Sequence, residues 1–412
     1  MPTIPPPKKR AAIHTLGCRL NQSESAVLAD KLAAAGYEIV PFGTPADLGV
    51  IHTCTVTREA DAKSRKLLRR FIRENPQAKT AVIGCYAQMD ADALAAIQGV
   101  DLIVGNEQKL NLLAHLPDEK NGAPVVVRDR IDRDDFVQDV PDAVHAPATC
   151  RPNLKVQDGC DFMCSFCIIP FARGRARSRA LGNLLDEART LVARGAKELV
   201  LTGVNIGTYC WEDNSILDVV DALDALPGHP RIRISSIEPT TIPEALFDRM
   251  ADPRHALVPH LHIPLQAGAD STLSRMRRKY TRQAFLDFVC RAHDRVPGIG
   301  IGTDVLAGFP GETDTDFAET CDLLRDSPLF YAHVFKYSER PGTASARMPE
   351  KLSAAEIDRR AAELRRISAR KTRLFQEHHL GQCLDVLFEE QVDGRWIGHA
   401  GNYLRVAVAS DQ

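Results

Sequence analysis

The sequence predicts an α/β protein in three parts. An open parallel α/β sheet comes first, an open or closed (β/α) barrel of six strand–helix units second, and a small β unit last. Three observations predict this order. Short apolar runs alternate with amphipathic helical stretches through residue 115. The alternation resumes at residue 151 for six further strand–helix units. From Gly381 onward the apolar residues recur with period two, as in paired strands.

In the first part, AAIHTLG leads into SESAVLADKLAAAG, and DLGVIHT into READAKSRKLLRRFIREN. TAVIG then leads into DADALAAIQ, and DLIVG into EQKLNLLAHL. This first domain spans 9–118. The Pro- and Asp-rich stretch NGAPVVVRDRIDRDDFVQDVPDAVHAPA gives residues 119–149 the composition of a linker. The barrel, residues 150–378, offers the strands NLKVQDG, ELVLTGVN, RIRISSI, LHIPLQ, GIGTDVLAGF and FYAHVFKYS. A long helix follows from Ser353, with Glu356 at capping-box spacing. Residues 379–412 form the terminal β unit.

The 412 residues are 44% apolar and 26% charged, with a formal charge of −2, so any nucleic-acid surface must be a local patch. No apolar run approaches a membrane span, and MPTIPPPKKR has no apolar region of signal type behind its basic residues. The chain reads as cytoplasmic. Eleven cysteines in a reducing compartment point to metal or catalysis rather than disulfides.

Three of them, Cys18, Cys54 and Cys85, follow predicted strands. Parallel strands all end on one edge, where ligands bind, so these thiols converge there as metal ligands or are simply small buried residues. Cys210, Cys290, Cys321 and Cys383 stand singly and read as core residues. Cys150 is a linker residue or a stray ligand.

QDGCDFMCSFC is more specific. Cys160, Cys164 and Cys167 supply three thiolates, whereas zinc sites use two C-x-x-C-like pairs. A [4Fe–4S] cube has four irons, so three cysteines leave one iron open to a small molecule. This spacing resembles the radical S-adenosylmethionine (SAM) superfamily, in which the open iron takes SAM and an electron cleaves its sulfonium to a 5′-deoxyadenosyl radical.

A narrower resemblance rests on TLGCRLNQSES, HTCTVTREADAKSRK, IGCYAQ, KVQDGCDFMCSFCIIPFARGRARSR, VLTGVN, RISSIEP, HIPLQAGADSTLSRMRRKYTR, TDVLAGFPGET and HVFKYSERPGTASARMP, in that order. Together they resemble the radical SAM methylthiotransferases, over residues 11 to 400. The resemblance implies a radical SAM partial barrel with Cys160, Cys164 and Cys167 as catalytic cluster ligands. It implies a second [4Fe–4S] cluster on Cys18, Cys54 and Cys85, SAM as radical source and methyl donor, and a partial TRAM-like β unit at 379–412. Within the family, TLGC, HTCTVT and QDGC most resemble the branch acting on N6-threonylcarbamoyladenosine beside the tRNA anticodon. The implied partners are the tRNA anticodon stem-loop and an electron donor such as flavodoxin or ferredoxin. Alternatives are methylthiolation of isopentenyladenosine or of a ribosomal protein side chain, and a non-catalytic iron–sulfur RNA-binding protein.

A radical suits this reaction because the adenine C–H to be replaced is neither acidic nor electrophilic. Gly308, Gly311 and Glu312 of GFPGE would let a cofactor approach the backbone, or form a tight strand-to-helix turn. Glu238 and Gln266, at strand ends, are cofactor contacts or structural hydrogen-bonding residues. Basic runs at Arg173, Arg175, Arg177 and Arg179, at Arg275–Arg282, at Lys63–Arg73 and at Arg365–Arg373 are solvated faces or phosphate contacts. Phe388, Trp396 and Tyr403 could stack on bases or pack in a core.

Overall fold

The computed structural model describes residues 8–120, 122–140 and 149–409. Parts of the expected linker (121, 141–148) and of the terminal β unit (410–412) lie outside the described residues. The chain forms two compact units. One comprises 1–147 with 158–160 and 168–177, the other 148–157, 161–167 and 178–412.

The first unit is a six-stranded, all-parallel sheet. Its strands are β1 (Arg10–Thr15), β2 (Glu38–Val40), β3 (Leu48–Thr53), β4 (Lys79–Gly84), β5 (Leu102–Val104) and β6 (Val125–Val127), ordered β2-β1-β3-β4-β5-β6. Side chains alternate across the sheet, so both faces need cover. Ala11, Val50, Ala81 and Leu102 pack against Leu28 and Leu32 of α1 (Arg19–Ala34). Ala12, Ile51, Val82 and Ile103 pack against Leu68 and Phe71 of α2 (Arg58–Glu74). Val125–Val127 had read as linker because Pro and Asp surround it, but Leu102 to Val104 pair with it as the sheet's edge strand. The expected last helix is a 3₁₀ stretch, Lys109–His115.

The second unit carries six parallel strands in two sets of three. They are β7 (Asn153–Lys155), β8 (Glu198–Thr202) and β9 (Arg231–Ile234), then β10 (His260–His262), β11 (Gly300–Ala307) and β12 (Tyr331–Lys336). Isolated bridges Ile232↔Leu257 and Ser236↔His262 join the sets, giving a partial barrel. Its core lies between strands and outer helices: Leu154, Leu201, Ile234, Leu261, Ile301 and Val305 meet Leu184, Phe247, Phe285 and Leu364. By alternation, the neighbours of Leu261 and Val305 point to the opposite, inner face.

The long helix, Ala354–His378, starts where expected, with the Ser353 side chain accepting from Glu356 N. The final β unit has three antiparallel strands, Val386–Val392, Arg395–Ala400 and Arg405–Ala409. Buried arginines fasten it to the barrel. Arg233 binds the Glu198 carboxylate at 2.6 and 3.1 Å and donates to the carbonyls of Ala400 and Gly401. Among the described residues no helix is long and apolar enough to cross a membrane.

Candidate functional site

The sheet places Cys18, Cys54 and Cys85 at the carboxyl ends of β1, β3 and β4, on one edge. Cys18 caps the start of α1, and Cys85 opens a short helix, Cys85–Met89. Cys54 and Cys85 are buried, and Cys18 is exposed. A Cβ on Gly17 would lie 2.6 Å from Cys54 Cβ and 3.1 Å from its Sγ, and Gly17 has φ +97°, so only glycine allows the two loops this approach. The Asn21 carboxamide ties them further, donating to Leu16 O at 2.7 Å and Thr53 O at 3.1 Å. Asn106 donates to the Cys85 thiol at 3.5 Å.

One buried guanidinium serves this edge. Arg173 binds Glu24 at 3.0 and 3.1 Å, Asp158 at 3.0 and 3.1 Å, and Asn21 Oδ1 at 2.6 Å. Glu24, itself buried, also pairs with Lys109 Nζ at 2.7 Å. The guanidinium and the ammonium thus meet the Glu24 and Asp158 carboxylates beside the thiols. Burial and the nearby Cys85 thiol push the Cys54 thiol up to about 12, with the Arg173 charge opposing them weakly. Deprotonating such thiols takes a bound cation. All three are free of disulfides, and a soft, three-thiolate donor set in a crowded edge fits an iron–sulfur cluster.

The second cysteine group is local in sequence. Cys160, Cys164 and Cys167 are half-buried and form no disulfide. At its start, Gly159 has φ +70° and a Cβ there would lie 1.8 Å from Arg175 O, while Cys160 N donates to Gly174 O at 3.1 Å. Further along, Ser165 Oγ donates to Arg275 O at 2.8 Å, and Ser165 O accepts from Ser345 N at 2.8 Å. Arg278 Nη1 donates to Cys164 Sγ at 3.2 Å and its Nη2 pairs with Glu238. Arg278 Nε meets Tyr280 OH at 3.0 Å, and that hydroxyl donates to Pro264 O at 2.7 Å. Burial raises the Glu238 pKa despite the Arg278 charge.

Comparisons with known proteins bear on the family. Residues 10–105 match the family described as "Uncharacterized protein family UPF0004", and 154–324 match the radical SAM superfamily. The "Threonylcarbamoyladenosine tRNA methylthiotransferase MtaB" of Bacillus subtilis is 36% identical over 409 residues, covering 96% of this chain and 89% of that protein. The enzyme of the same name from Aquifex aeolicus is 36% identical and covers 93% of each. The chain belongs to the radical SAM methylthiotransferase family.

Membership makes it an enzyme of the [4Fe–4S] and SAM class. The "tRNA-2-methylthio-N(6)-dimethylallyladenosine synthase" of Cereibacter sphaeroides is also similar, at 33% identity, covering 97% of this chain and 92% of that one. Among solved structures, the radical SAM methyltransferase TsrM of Kitasatospora setae has a TM-score of 0.58 at 17% identity, covering 82% of this chain and 77% of that one. That likeness shows the shared fold.

The other candidates of this methylthiotransferase fall out unevenly. Gly308 and Gly311 both take positive φ, and Glu312 closes their turn by accepting from Gly308 N and Arg360, each at 2.9 Å. Gln266, at φ +71°, joins the strand ends through Asp304 O (2.8 Å) and Leu306 N (2.9 Å). Much of the basic patterning is internal. Arg173 and Arg179 are buried against carboxylates, Arg177 lies over Phe136, and Arg275 and Arg282 pair with Asp316 and Glu319. Lys63, Lys66, Arg69, Arg70 and Arg73 on α2 and Arg365, Arg366, Arg370 and Arg373 on the long helix do face solvent. Phe388 and Trp396 are exposed, while Tyr403 stacks on His399 and lies under Arg233. Only Cys321 of the four lone cysteines is a core residue; Cys210 and Cys383 are exposed and Cys290 is half-buried.

Sequence reasoning missed Arg173 and Arg278 as site residues, since each looked like one charge in a basic run. Arg173→Ala would leave Glu24 and Asp158 short of a buried partner. It should destabilise the first unit by about 3–5 kcal/mol, read from chemical denaturation. An unchanged midpoint would assign the guanidinium no structural role.

Proposed function

We propose that the protein transfers a methylthio group to carbon 2 of N6-threonylcarbamoyladenosine beside the tRNA anticodon. The observation that carries the reading is the pair of three-thiol groups, one at a sheet edge and one in the C-x3-C-x2-C loop, in a chain with threonylcarbamoyladenosine methylthiotransferases among its relatives. Cys160, Cys164 and Cys167 would hold one [4Fe–4S] cluster, and Cys18, Cys54 and Cys85 a second. The chemistry that such clusters supply when bound is one-electron cleavage of a sulfonium and presentation of sulfur.

The chain's own residues prepare both sites. Arg278 donates to Cys164 Sγ and to the Glu238 carboxylate, which orients that sulfur. Asn21 fixes the approach of the Cys18 and Cys54 loops, and Asn106 donates to Cys85. Glu238 and Gln266, at the carboxyl ends of barrel strands, stand where SAM would be oriented, with Gly308, Gly311 and Glu312 shaping the neighbouring turn. A second SAM would supply the methyl group, and reduced flavodoxin or ferredoxin in the cytoplasm the electron. The exposed basic faces of α2 and the long helix suit the anticodon stem-loop's phosphates.

Nucleoside mass spectrometry of tRNA from cells with and without the gene tests this. Deletion should remove 2-methylthio-N6-threonylcarbamoyladenosine and restore its unthiolated parent. Loss of the dimethylallyl derivative, or of a ribosomal protein modification, would transfer the assignment to that substrate.

A further inference from the structure

The inner face of the barrel carries a second, cysteine-free group of metal-type donors. His262 on β10, Asp304 on β11 and His333 on β12 point inward, because their neighbours Leu261, Val305 and Val334 pack outward against the helices. Strand pairing sets Asp304 directly beside His333 and His262 beside Gly302, two residues before Asp304. One donor atom from each side chain then lies within 4.8 Å of the others.

Both imidazoles turn to the same carboxylate oxygen. His262 Nε2 is 2.9 Å and His333 Nδ1 3.4 Å from Asp304 Oδ1. Donors bonded at about 2.0–2.2 Å to one ion stand about 3.0 Å apart at right angles and about 3.5 Å apart in a tetrahedron. The observed separations span that range. The far side of His262 is also provided for, since Nδ1 is 3.0 Å from Tyr331 OH. A ligating histidine needs such a partner to hold its tautomer and ring plane. Burial is graded as well: His262 and Asp304 side chains are 8% and 20% exposed, His333 59%.

We propose that His262, Asp304 and His333 form a site for one divalent transition-metal ion on the barrel's inner face, separate from both cysteine groups. Two neutral imidazoles and one carboxylate leave a charge of −1 to balance the ion. Borderline nitrogen and oxygen donors select zinc, ferrous iron or cobalt over calcium or magnesium. Three protein donors leave coordination positions open for water or for an oxygen donor of a bound substrate. A shared carboxylate oxygen can also accept a hydrogen bond from each imidazole without any ion, so the metal-free alternative is a hydrogen-bonded His–Asp–His cluster, and the test separates the two.

The test uses the cluster-loaded full chain, dialysed against zinc and passed through a desalting column. Elemental analysis should find one zinc per chain in addition to the cluster iron. Absorption at the zinc edge should show nitrogen and oxygen neighbours only. Asp304→Asn, which keeps the side chain's shape, and His333→Ala, at an exposed position, should each abolish retention with cluster iron and sulfide unchanged. Tyr331→Phe should weaken zinc binding by about tenfold or more. Sulfur neighbours, or equal zinc in the wild type and Asp304→Asn, would overturn the site and leave a hydrogen-bonded cluster in its place. Neither outcome touches the methylthiotransferase reading, which the tRNA experiment tests separately.

Discussion

Replacing Cys160, Cys164 and Cys167 by Ala should halve the iron of the reconstituted protein, from about eight to about four per chain, and abolish reductive cleavage of SAM. The expectation follows from how the loop is held. Its backbone is fixed at Gly159, Ser165 and Cys167 by hydrogen bonds that do not involve the thiols, so the variant keeps the loop and loses only the donors. Cys164 also offers the Arg278 guanidinium a sulfur partner, but Glu238 and Tyr280 remain to satisfy it. The protein should therefore fold and unfold almost as the wild type does. Full iron in this variant would show that the loop holds no cluster.

The second large effect separates the two cysteine groups by role. With Cys18, Cys54 and Cys85 changed to Ala, iron should again fall by half, while SAM cleavage persists, because none of these residues belongs to the C-x3-C-x2-C loop. Methylthio product should fall below detection by nucleoside mass spectrometry. Cys54 and Cys85 are buried, so each truncation also removes some packing, about 1–2 kcal/mol for a sulfur-sized cavity. A Ser variant at the same positions keeps the volume and removes the soft donors. Normal product from the Ser variant would make these three thiols packing residues.

What the sequence disclosed and what it hid have different physical origins. The C-x3-C-x2-C loop stood out because its three thiols are neighbours along the chain. Cys18, Cys54 and Cys85 were legible because parallel strands end on one edge, so topology alone collects them. Their metal reading rested on a resemblance, since a small buried residue can stand at a strand end for packing alone. Arg173 was hidden because its partner Glu24 is 149 residues away, and nothing in ARGRARSR marks one arginine as buried. The strand Val125–Val127 was hidden by its Pro- and Asp-rich flanks, and pairing with Leu102–Val104 overrode that composition. His262, Asp304 and His333 each looked like a single polar residue in an apolar strand; only the register of three strands makes them a group.

The long reach of Arg173 bears on the order in which the protein is made. On the ribosome, β1 to β6 can pair once about residue 127 has emerged, but the guanidinium that meets Glu24, Asp158 and Asn21 is still unsynthesised. At roughly 5–20 residues per second, Glu24 precedes Arg173 by roughly 7–30 s. Through that interval Glu24 can meet Lys109 and His52, and the edge bearing Cys18, Cys54 and Cys85 lacks the Arg173 guanidinium. A nascent chain thus passes through a stage in which the sheet exists without the Arg173 guanidinium. Residues 168–177 then bring it to Glu24, Asn21 and Asp158. A fragment cut after the sixth strand, Val125–Val127, would be arrested at that stage.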